Sequence, residues 1–267
     1  MLSQIITNFY TLTKVEGETK VEILSHAGRL TAEGYYHVVG EVKNNENTSI
    51  KDVTIELALF DSDGKLIQTC EQNTDPRVLL TGRKASFSFF ITNKTEVSLI
   101  KTYELKLVNY REFPEGNREE LEILWHSTSN TSIYGKIVFT GFGEASFIVV
   151  YAMFYDKNRK IADVSMSQVI YSLHHMEDYP FEIFFSSKDL LERATYYSLT
   201  AESKEFAIKN ETGLTLLTVL DGNHGYDIFY VFGILVGTSA IGLLVVLLIA
   251  KRKQKKRSRR KRKPKTS

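Results

Sequence analysis

A run of 23 uncharged, mostly apolar residues at positions 228–250 constrains this chain more than any other feature. A helix rises about 1.5 Å per residue, so a helix of this length reaches about 34 Å and can cross a hydrocarbon core about 30 Å thick. Phe229, Tyr230 and Phe232 lie at its start, where membrane helices place aromatic residues. Helices of globular domains are rarely apolar on all sides over such a length. The run predicts a single-pass membrane protein.

The 17 residues that follow, 251–267, predict the orientation of this helix. They hold 12 of the 34 Lys and Arg residues and no Asp or Glu, which leaves 22 basic against 32 acidic side chains in residues 1–250. Because basic flanking segments stay in the cytoplasm, we expect a cytoplasmic tail and an extracytoplasmic N-terminal region at the cell membrane. The tail should also contact the bilayer and its anionic headgroups. Its basic residues are Lys251, Arg252, Lys253, Lys255, Lys256, Arg257, Arg259, Arg260, Lys261, Arg262, Lys263 and Lys265.

Three alternatives concern the ends of the chain. The basic run also resembles a localisation signal, although its place beside a membrane helix favours lipid over nucleic acid. The first 17 residues lack a signal peptide's basic and apolar regions. Either the true start lies upstream, a processed form is present, or the C-terminal anchor inserts the protein; the first two agree with a cytoplasmic tail. Gly233 and Gly237 have a spacing that allows two membrane helices to form a homodimer, or they reflect ordinary glycine use.

The N-terminal region contains one sequence unit twice. Residues 21–26 (VEILSH) recur as 121–126 (LEILWH), and 39–42 (VGEV) recur as 134–137 (YGKI). The further matches are 57–61 with 152–156, 65–66 with 160–161, 87–90 with 181–184, and 111–113 with 204–206. The order is kept and the offset falls only from 100 to 93 residues. This pattern indicates a tandem duplication with small loop changes.

Each copy has the pattern of short β-strands separated by turns. Val53, Ile55 and Leu57 alternate with polar residues, and Asp63-Gly64 is a hairpin turn signal. We therefore predict an all-β fold of two tandem immunoglobulin-like β-sandwich domains followed by one C-terminal transmembrane α-helix. With one cysteine, Cys70, the chain can form no intrachain disulfide. The predicted divisions are an N-terminal segment 1–16, domain 1 at 17–115, domain 2 at 118–212, a juxtamembrane linker 213–227, the helix 228–250 and the tail 251–267.

The copies resemble a known family of small β-sandwiches. The strand ending Ala-Met-Phe-Tyr-Asp at 152–156, a glycine on an upstream Val/Ile strand and a later Phe-rich strand look like the FxLYD domain of archaeal and bacterial envelope proteins. Both copies depart from its signature: Leu57 and Ala152 replace the Phe, Phe154 replaces the Leu, and Phe60 replaces the Tyr. The resemblance covers roughly residues 20–210 and implies a fold and an envelope location without a chemical activity.

Few residues suggest chemistry. Residues 174–178 (HHMED) could bind copper or zinc, or they form a polar loop between strands. No ligand from a second segment is visible, so we predict no metal or cofactor and keep His174, His175 and Met176 as candidates. The motifs of serine hydrolases, zinc proteases, P-loops and redox dithiols do not occur. We therefore predict no catalytic residue and no enzymatic activity. His26 and His126, at matching positions, are expected to be polar residues at strand edges.

Two sets of residues point to external contacts. Four N-x-S/T sequons fall at predicted loops or strand ends and are candidates for glycosylation: Asn47, Asn93, Asn130 and Asn210. In addition, the second copy has apolar residues on both faces of one strand, whereas the first copy has Asp, Thr, Glu and Ala on the solvent side. The extra apolar residues are Phe147, Val149, Tyr151 and Met153. Either another part of the chain covers these side chains, or they form an interface with a partner.

These patterns favour a membrane-anchored envelope protein that displays tandem β-sandwiches for protein or glycan binding or as a scaffold. A second hypothesis is a membrane sensor or assembly subunit that signals through its basic tail. A third is a metal-binding or enzymatic ectodomain. The sequence does not identify the ligand.

Overall fold

The computed structural model describes residues 20–218, which are mostly β-sheet, as predicted. We call residues 20–113 the first repeat; its elements are β1 Val21–Leu30, β2 Tyr36–Asn44, β3 Ile50–Phe60, β4 Leu66–Asn73, β5 Val78–Leu79, β6 Lys84–Ile91, α1 Lys94–Leu99 and β7 Thr102–Glu112. Residues 118–218 form the second repeat, with β8 Arg118–Thr128, β9 Ser132–Phe139, β10 Glu144–Tyr155, β11 Ile161–Met166, β12 Ile170–His174, β13 Asp178–Phe184, α2 Leu190–Arg193, β14 Tyr196–Glu202, β15 Phe206–Ile208 and β16 Thr215–Leu216.

Several predictions fall outside the described residues. They are the N-terminal segment 1–16, the membrane helix at 228–250 with Gly233 and Gly237, and the basic tail at 251–267. Within residues 20–218, no helix is both long and apolar enough to span a bilayer.

The two repeats share a strand arrangement. In the first, β1, β2 and β6 form one antiparallel sheet, while β3 pairs with β4, β5 and β7 in the other. In the second, β8, β9 and β13 match the first sheet, and β10 pairs with β11, β12 and β14. The short strand β15 pairs with β14 and runs parallel to β8, so both groups join into one nine-stranded sheet. Each repeat has its own hydrophobic core.

Turns at matching positions also have the same geometry. Asp61 begins the β3–β4 turn, and its Oδ1 accepts hydrogen bonds from the backbone N–H groups two and four residues later, both at 2.9 Å. Asp156 does the same in the β10–β11 turn, at 2.8 and 2.9 Å. The fourth turn residue has a positive φ in both cases, +75° at Gly64 and +61° at Arg159. The 95-residue offset seen in the sequence is therefore present in the turn geometry.

The paired histidines are more buried than strand-edge polar residues would be. The Nδ1 of His26 lies 2.8 Å from the hydroxyl of Tyr103, and the Nδ1 of His126 lies 2.7 Å from that of Tyr197. Both rings meet their tyrosine edge to face. Burial lowers the pKa of both histidines. They therefore act as internal polar contacts between β1 and β7 and between β8 and β14.

The two repeats pack side by side within one compact unit. The face of β1, β2 and β6 that points away from the first core lies against β10 and β11 of the second repeat. Val39 packs there with Met153, Tyr155 and Ile161, all of them buried. The hydroxyl of Tyr155 donates to the Glu41 carboxylate at 3.1 Å. This interface is therefore a third apolar cluster with polar contacts around it.

Asp163 on β11 provides the main charged contact of this interface. Its fully buried carboxylate accepts hydrogen bonds from Arg29 of the first repeat at 2.7 Å and from Arg193 of α2 at 3.0 Å. Ser186 donates to the same oxygen at 2.8 Å. His37 lies 3.9 Å away, and burial lowers its pKa to about 4 despite the nearby carboxylate. Asp163 thus has two cationic partners, one from each repeat.

Glu202 on β14 forms a second polar contact between the repeats. Its carboxylate accepts hydrogen bonds from the backbone N–H groups of Arg77 at 2.8 Å and Val78 at 3.4 Å. The Tyr151 hydroxyl donates to it at 3.3 Å. Burial, with a smaller contribution from the charge of Asp75, raises the pKa of Glu202 to about 7. This carboxylate is therefore protonated over part of the mildly acidic range.

We predict that Glu202→Gln makes stability less dependent on pH. The folded pKa lies above the unfolded value of 4.5, so the stabilisation from Glu202 is complete below pH 4.5 and is lost as the pH rises through about 7. The free energy of unfolding of the variant should match wild type near pH 4 and exceed it by about 2–4 kcal/mol above pH 7, at about 1.4 kcal/mol per pKa unit. Glu104→Gln, at an exposed carboxylate on β7, is the control. Equal pH profiles for wild type and Glu202→Gln would contradict the prediction.

Candidate functional site

The four apolar residues singled out on β10 occupy different environments. Tyr151 and Met153 are only 8% and 2% exposed. Met153 packs with Val39 of the first repeat, and the Tyr151 hydroxyl donates to Glu202, which also accepts from backbone N–H groups of the first repeat. Val149 is half-buried, and Phe147 is 61% exposed. Phe147 also has a positive φ of +56°, which breaks the alternation of the strand at that point. Of the two alternatives, cover by the chain itself therefore holds for Tyr151 and Met153, and neither is available to a partner in this structure.

Phe147 instead belongs to an exposed apolar surface at one end of the second repeat. We call this surface the aromatic end; its side chains are 61–83% exposed and are Phe142, Phe147, Tyr171 and Met176. Phe142 lies in the β9–β10 loop, Tyr171 on β12 and Met176 in the β12–β13 turn. The rings of Phe147 and Tyr171 meet edge to face with centroids 6.5 Å apart. Large apolar groups gathered in water are typical of interaction sites.

The proposed metal-ligand candidates form part of this same end. The backbone N–H of His174 donates to the Glu177 carboxylate at 2.8 Å, and Met176 has a φ of +60°, so this segment forms a tight turn. His175 stacks on Phe142 at 4.9 Å, and its Nδ1 donates to the Gly141 carbonyl at 2.8 Å. No group of three or more His, Cys, Asp or Glu side chains that could hold a metal ion occurs between residues 20 and 218. His174, His175 and Met176 thus shape a turn that supports Phe142.

Sequence reasoning did not identify Phe142 or Tyr171. One signal for Phe142 was present: it stands between Gly141 and Gly143, in a turn where a large apolar side chain has no strand to carry it inward. Tyr171 lies on a short strand that pairs only with the start of β10. Its exposure depends on that pairing, which the sequence pattern does not specify.

The aromatic end lies far from the point where the described chain stops. The β9–β10 loop contacts the start of β8, where the Thr140 backbone N–H donates to the Glu120 carbonyl at 2.8 Å. The Thr218 carbonyl accepts a hydrogen bond from Thr128 at the end of β8. Glu120 and Thr128 are eight residues apart on β8, which corresponds to about 26 Å at about 3.3 Å per residue. Thr218 and the aromatic end therefore lie at opposite ends of the strands.

The glycosylation candidates are all accessible. The side chains of all four sequon asparagines are exposed: Asn47, Asn93, Asn130 and Asn210. Asn93 also caps α1, since its Oδ1 accepts from the Thr95 N–H at 3.1 Å. A glycan could be attached at each position without opening either core.

Comparison with known proteins identifies no family. No family model matches the chain, and no curated protein matches it significantly. Solved structures with weak similarity include red sea bream transglutaminase, with 12% identity, a TM-score of 0.25 and coverage of 76% of this chain and 32% of that one. Amycolatopsis orientalis exo-chitosanase CsxA gives 11%, 0.27, 67% and 25%, and Kluyveromyces marxianus β-glucosidase gives 9%, 0.21, 72% and 48%. The chain spans at most about half of these proteins, and no conclusion about function follows from TM-scores this low.

Proposed function

We propose that this chain is a membrane-anchored cell-envelope protein that displays two tandem immunoglobulin-like sandwiches of FxLYD type and binds a protein partner through the aromatic end. The observation that carries this proposal is the exposure of Phe142, Phe147, Tyr171 and Met176 on one end of the second repeat. The apolar run at 228–250 and the basic tail after it support the membrane anchor and the external placement. The accessible sequons agree with that placement.

The chemistry of this surface favours a protein over a glycan. Phe142 and Phe147 offer no hydrogen-bonding group, Met176 offers a weakly accepting sulfur, and Tyr171 offers one hydroxyl. A saccharide needs polar partners for several hydroxyl groups. Aromatic and methionine side chains are enriched in protein–protein interfaces, and methionine adapts to irregular partner surfaces. Full burial of each large side chain would contribute roughly 1.5–3 kcal/mol. A protein that covers this end would gain most of that energy.

The proposal predicts site-specific crosslinking in cells. A photo-crosslinking amino acid at position 142 or 171 of the full chain should give one discrete adduct, and mass spectrometry of its digest should show peptides of a second protein. The same group at Leu30 or Leu99, which are similarly exposed on the first repeat, should not give that adduct. Replacing Phe147 and Met176 with serine should reduce the adduct at least tenfold, since about 1.4 kcal/mol of lost burial corresponds to a factor of ten.

Two other results would count against this proposal. An adduct whose added mass is removed by glycosidase and whose digest contains no peptides of a second protein would identify a glycan ligand. Identical adducts at all four positions would exclude a specific site. The same cells test the topology. Protease added outside should remove an N-terminal epitope and spare a C-terminal one; the reverse pattern would exclude external display.

A further inference from the structure

A second exposed surface lies on the sheet formed by β8, β9 and β13. We call it the Trp125 face; its side chains point away from the core of the second repeat and include Trp125, Tyr134, Lys136 and Phe184, with the acidic residues Asp178 and Glu182 beside them. The three aromatic side chains are 39–58% exposed. Trp125 and Tyr134 meet edge to face at 6.1 Å. Nothing in residues 20–218 covers this face, although it is a flat sheet surface rich in aromatic groups.

The matching face of the first repeat is the one that packs against the second repeat. Strand pairing establishes the equivalence, because Ser25 lies opposite Glu41 on β1 and β2 just as Trp125 lies opposite Lys136 on β8 and β9. Both β1 and β8 have a register shift one residue earlier. By the same register, Tyr134 takes the place of Val39, which is buried between the repeats. The Trp125 face is thus the second copy of a surface that already forms an interface.

The surface that receives this face also exists twice. In the second repeat it is built by Met153, Tyr155 and Ile161. The equivalent positions in the first repeat are Ala58, Phe60 and Leu66, since each group occupies the same pairing positions between its two strands. Leu66 is exposed, while Ala58 and Phe60 are half-buried. We call these three residues, with Glu56 and Glu71 beside them, the Ala58 face.

The Trp125 face and the Ala58 face complement each other in size. Inside the chain, the small Val39 meets the long Met153. Between copies, the large Tyr134 would meet the small Ala58, so the summed volume is preserved with the roles exchanged. A second pair of positions also differs between the two contacts. Inside the chain, the Ser25 Oγ accepts from the backbone N–H of Ile161 at 3.1 Å. Between copies, Trp125 would take the place of Ser25 and make an apolar contact with Leu66.

The Trp125 face and the Ala58 face also bring a cation to an aromatic ring. Glu41 bonds to the Tyr155 hydroxyl inside the chain, whereas Lys136 at the equivalent position would meet Phe60, a cation over an aromatic ring. Lys136 also donates to Asp178 beside it at 3.0 Å, and Glu56 lies opposite Lys106 on β7 as well as opposite Glu71 on β4. The charges of both faces therefore have partners inside the chain, and the contact between copies depends on shape and on the ring contact.

We propose that the Trp125 face of one copy packs on the Ala58 face of a second copy, with the geometry that joins the two repeats inside one chain. The contact uses two different surfaces, so it is head-to-tail and extends into an array instead of closing as a two-fold dimer. This association involves neither the aromatic end nor the helix glycines at 233 and 237. It stands whether or not the aromatic end binds a partner.

Crosslinking between two populations of the full chain tests the proposal. Both carry Cys70→Ser; one then carries Ala58→Cys and the other Tyr134→Cys, and they are mixed in detergent micelles and oxidised. We expect an intermolecular disulfide in the mixture and at least tenfold less in either population alone. Pairing Ala58→Cys with Tyr171→Cys, an exposed position on the aromatic end, is the matched control.

A size exchange provides an independent test that requires no cysteine. Ala58→Tyr should clash with Tyr134 and weaken self-association at least tenfold in sedimentation, and Tyr134→Ala added to Ala58→Tyr should restore it. Three results would overturn the proposal: a 134–134 disulfide as strong as the mixed one, equal crosslinking to position 171, or sedimentation unchanged by Ala58→Tyr. The first of these would indicate a two-fold dimer through the Trp125 face.

Discussion

Replacing Asp163 with alanine is expected to destabilise the protein by about 3–5 kcal/mol, the cost of breaking a buried ion pair by removing one partner. Asp163 is fully buried and accepts hydrogen bonds from Arg29 at 2.7 Å and Arg193 at 3.0 Å. The Nε of Arg29 already has no acceptor among the described residues. Without the carboxylate, the largely buried Arg29 guanidinium would lose its ion pair, while Arg193 would keep its ion pair with Asp189.

The duplication provides a matched control for this prediction. Gln68 takes the equivalent place in the first repeat, opposite Leu59 as Asp163 is opposite Phe154, and it is not buried. Gln68→Ala should change the free energy of unfolding by less than about 0.5 kcal/mol. Denaturant unfolding of the full chain in detergent, followed by the fluorescence of Trp125, measures both variants. Equal losses of unfolding free energy for the two variants would show that the ion pairs of Asp163 add no more stability than an ordinary polar contact.

Asp163 also shows where sequence reasoning stops. In the sequence it is one polar residue in a short strand, and its partner Arg29 is 134 residues away. Local periodicity reports which face of a strand is apolar, but it carries no information on which distant segment supplies a counterion. The four-residue pattern on β10 has the same limit. It showed correctly that both faces are apolar at Tyr151 and Met153, yet it could not show that the rest of the chain covers them.

What could be predicted was local or repeated. The Asp-capped turns at Asp61 and Asp156 depend on a side chain that bonds to backbone groups within four residues, so their sequence signal is complete. The strands follow from alternation of apolar and polar residues. The aromatic end was missed in part because Phe142 and Tyr171 belong to segments without periodicity, where exposure depends on loop geometry.

Each repeat has a glycine at the same position of its second strand, and an aromatic ring lies opposite it. Gly40 lies opposite Phe87, and Gly135 lies opposite Phe181. A Cβ added at Gly40 would lie 2.0 Å from the tip of the Phe87 ring, so this ring fills the space that a side chain would need. Phe87 is 1% exposed and belongs to the core of the first repeat. Phe87→Ala should therefore cost about 3–5 kcal/mol, as expected for removal of a fully packed ring.

The two glycines should nevertheless respond differently to a second substitution. Gly40→Ala should cost about 1–3 kcal/mol by overpacking. Phe87→Leu should relieve this clash, so that the double variant is more stable than the sum of the single losses by at least about 1 kcal/mol. At Gly135 the nearest atom to an added Cβ is the backbone carbonyl oxygen of Trp125, at 2.4 Å, and a backbone atom cannot rotate away as a ring can.

Gly135→Ala should therefore stay destabilised when it is combined with Phe181→Leu. Its coupling energy should be smaller than the one at Gly40, although the Phe181 ring also lies 2.8 Å from the added Cβ. Two double-mutant cycles on the full chain, measured by denaturant unfolding, decide the matter. A similar coupling energy in both repeats would mean that the ring alone requires glycine in each unit. A large coupling in the first repeat only would show that the first glycine makes room for an aromatic side chain, whereas the second is required by the close approach of β8 and β9.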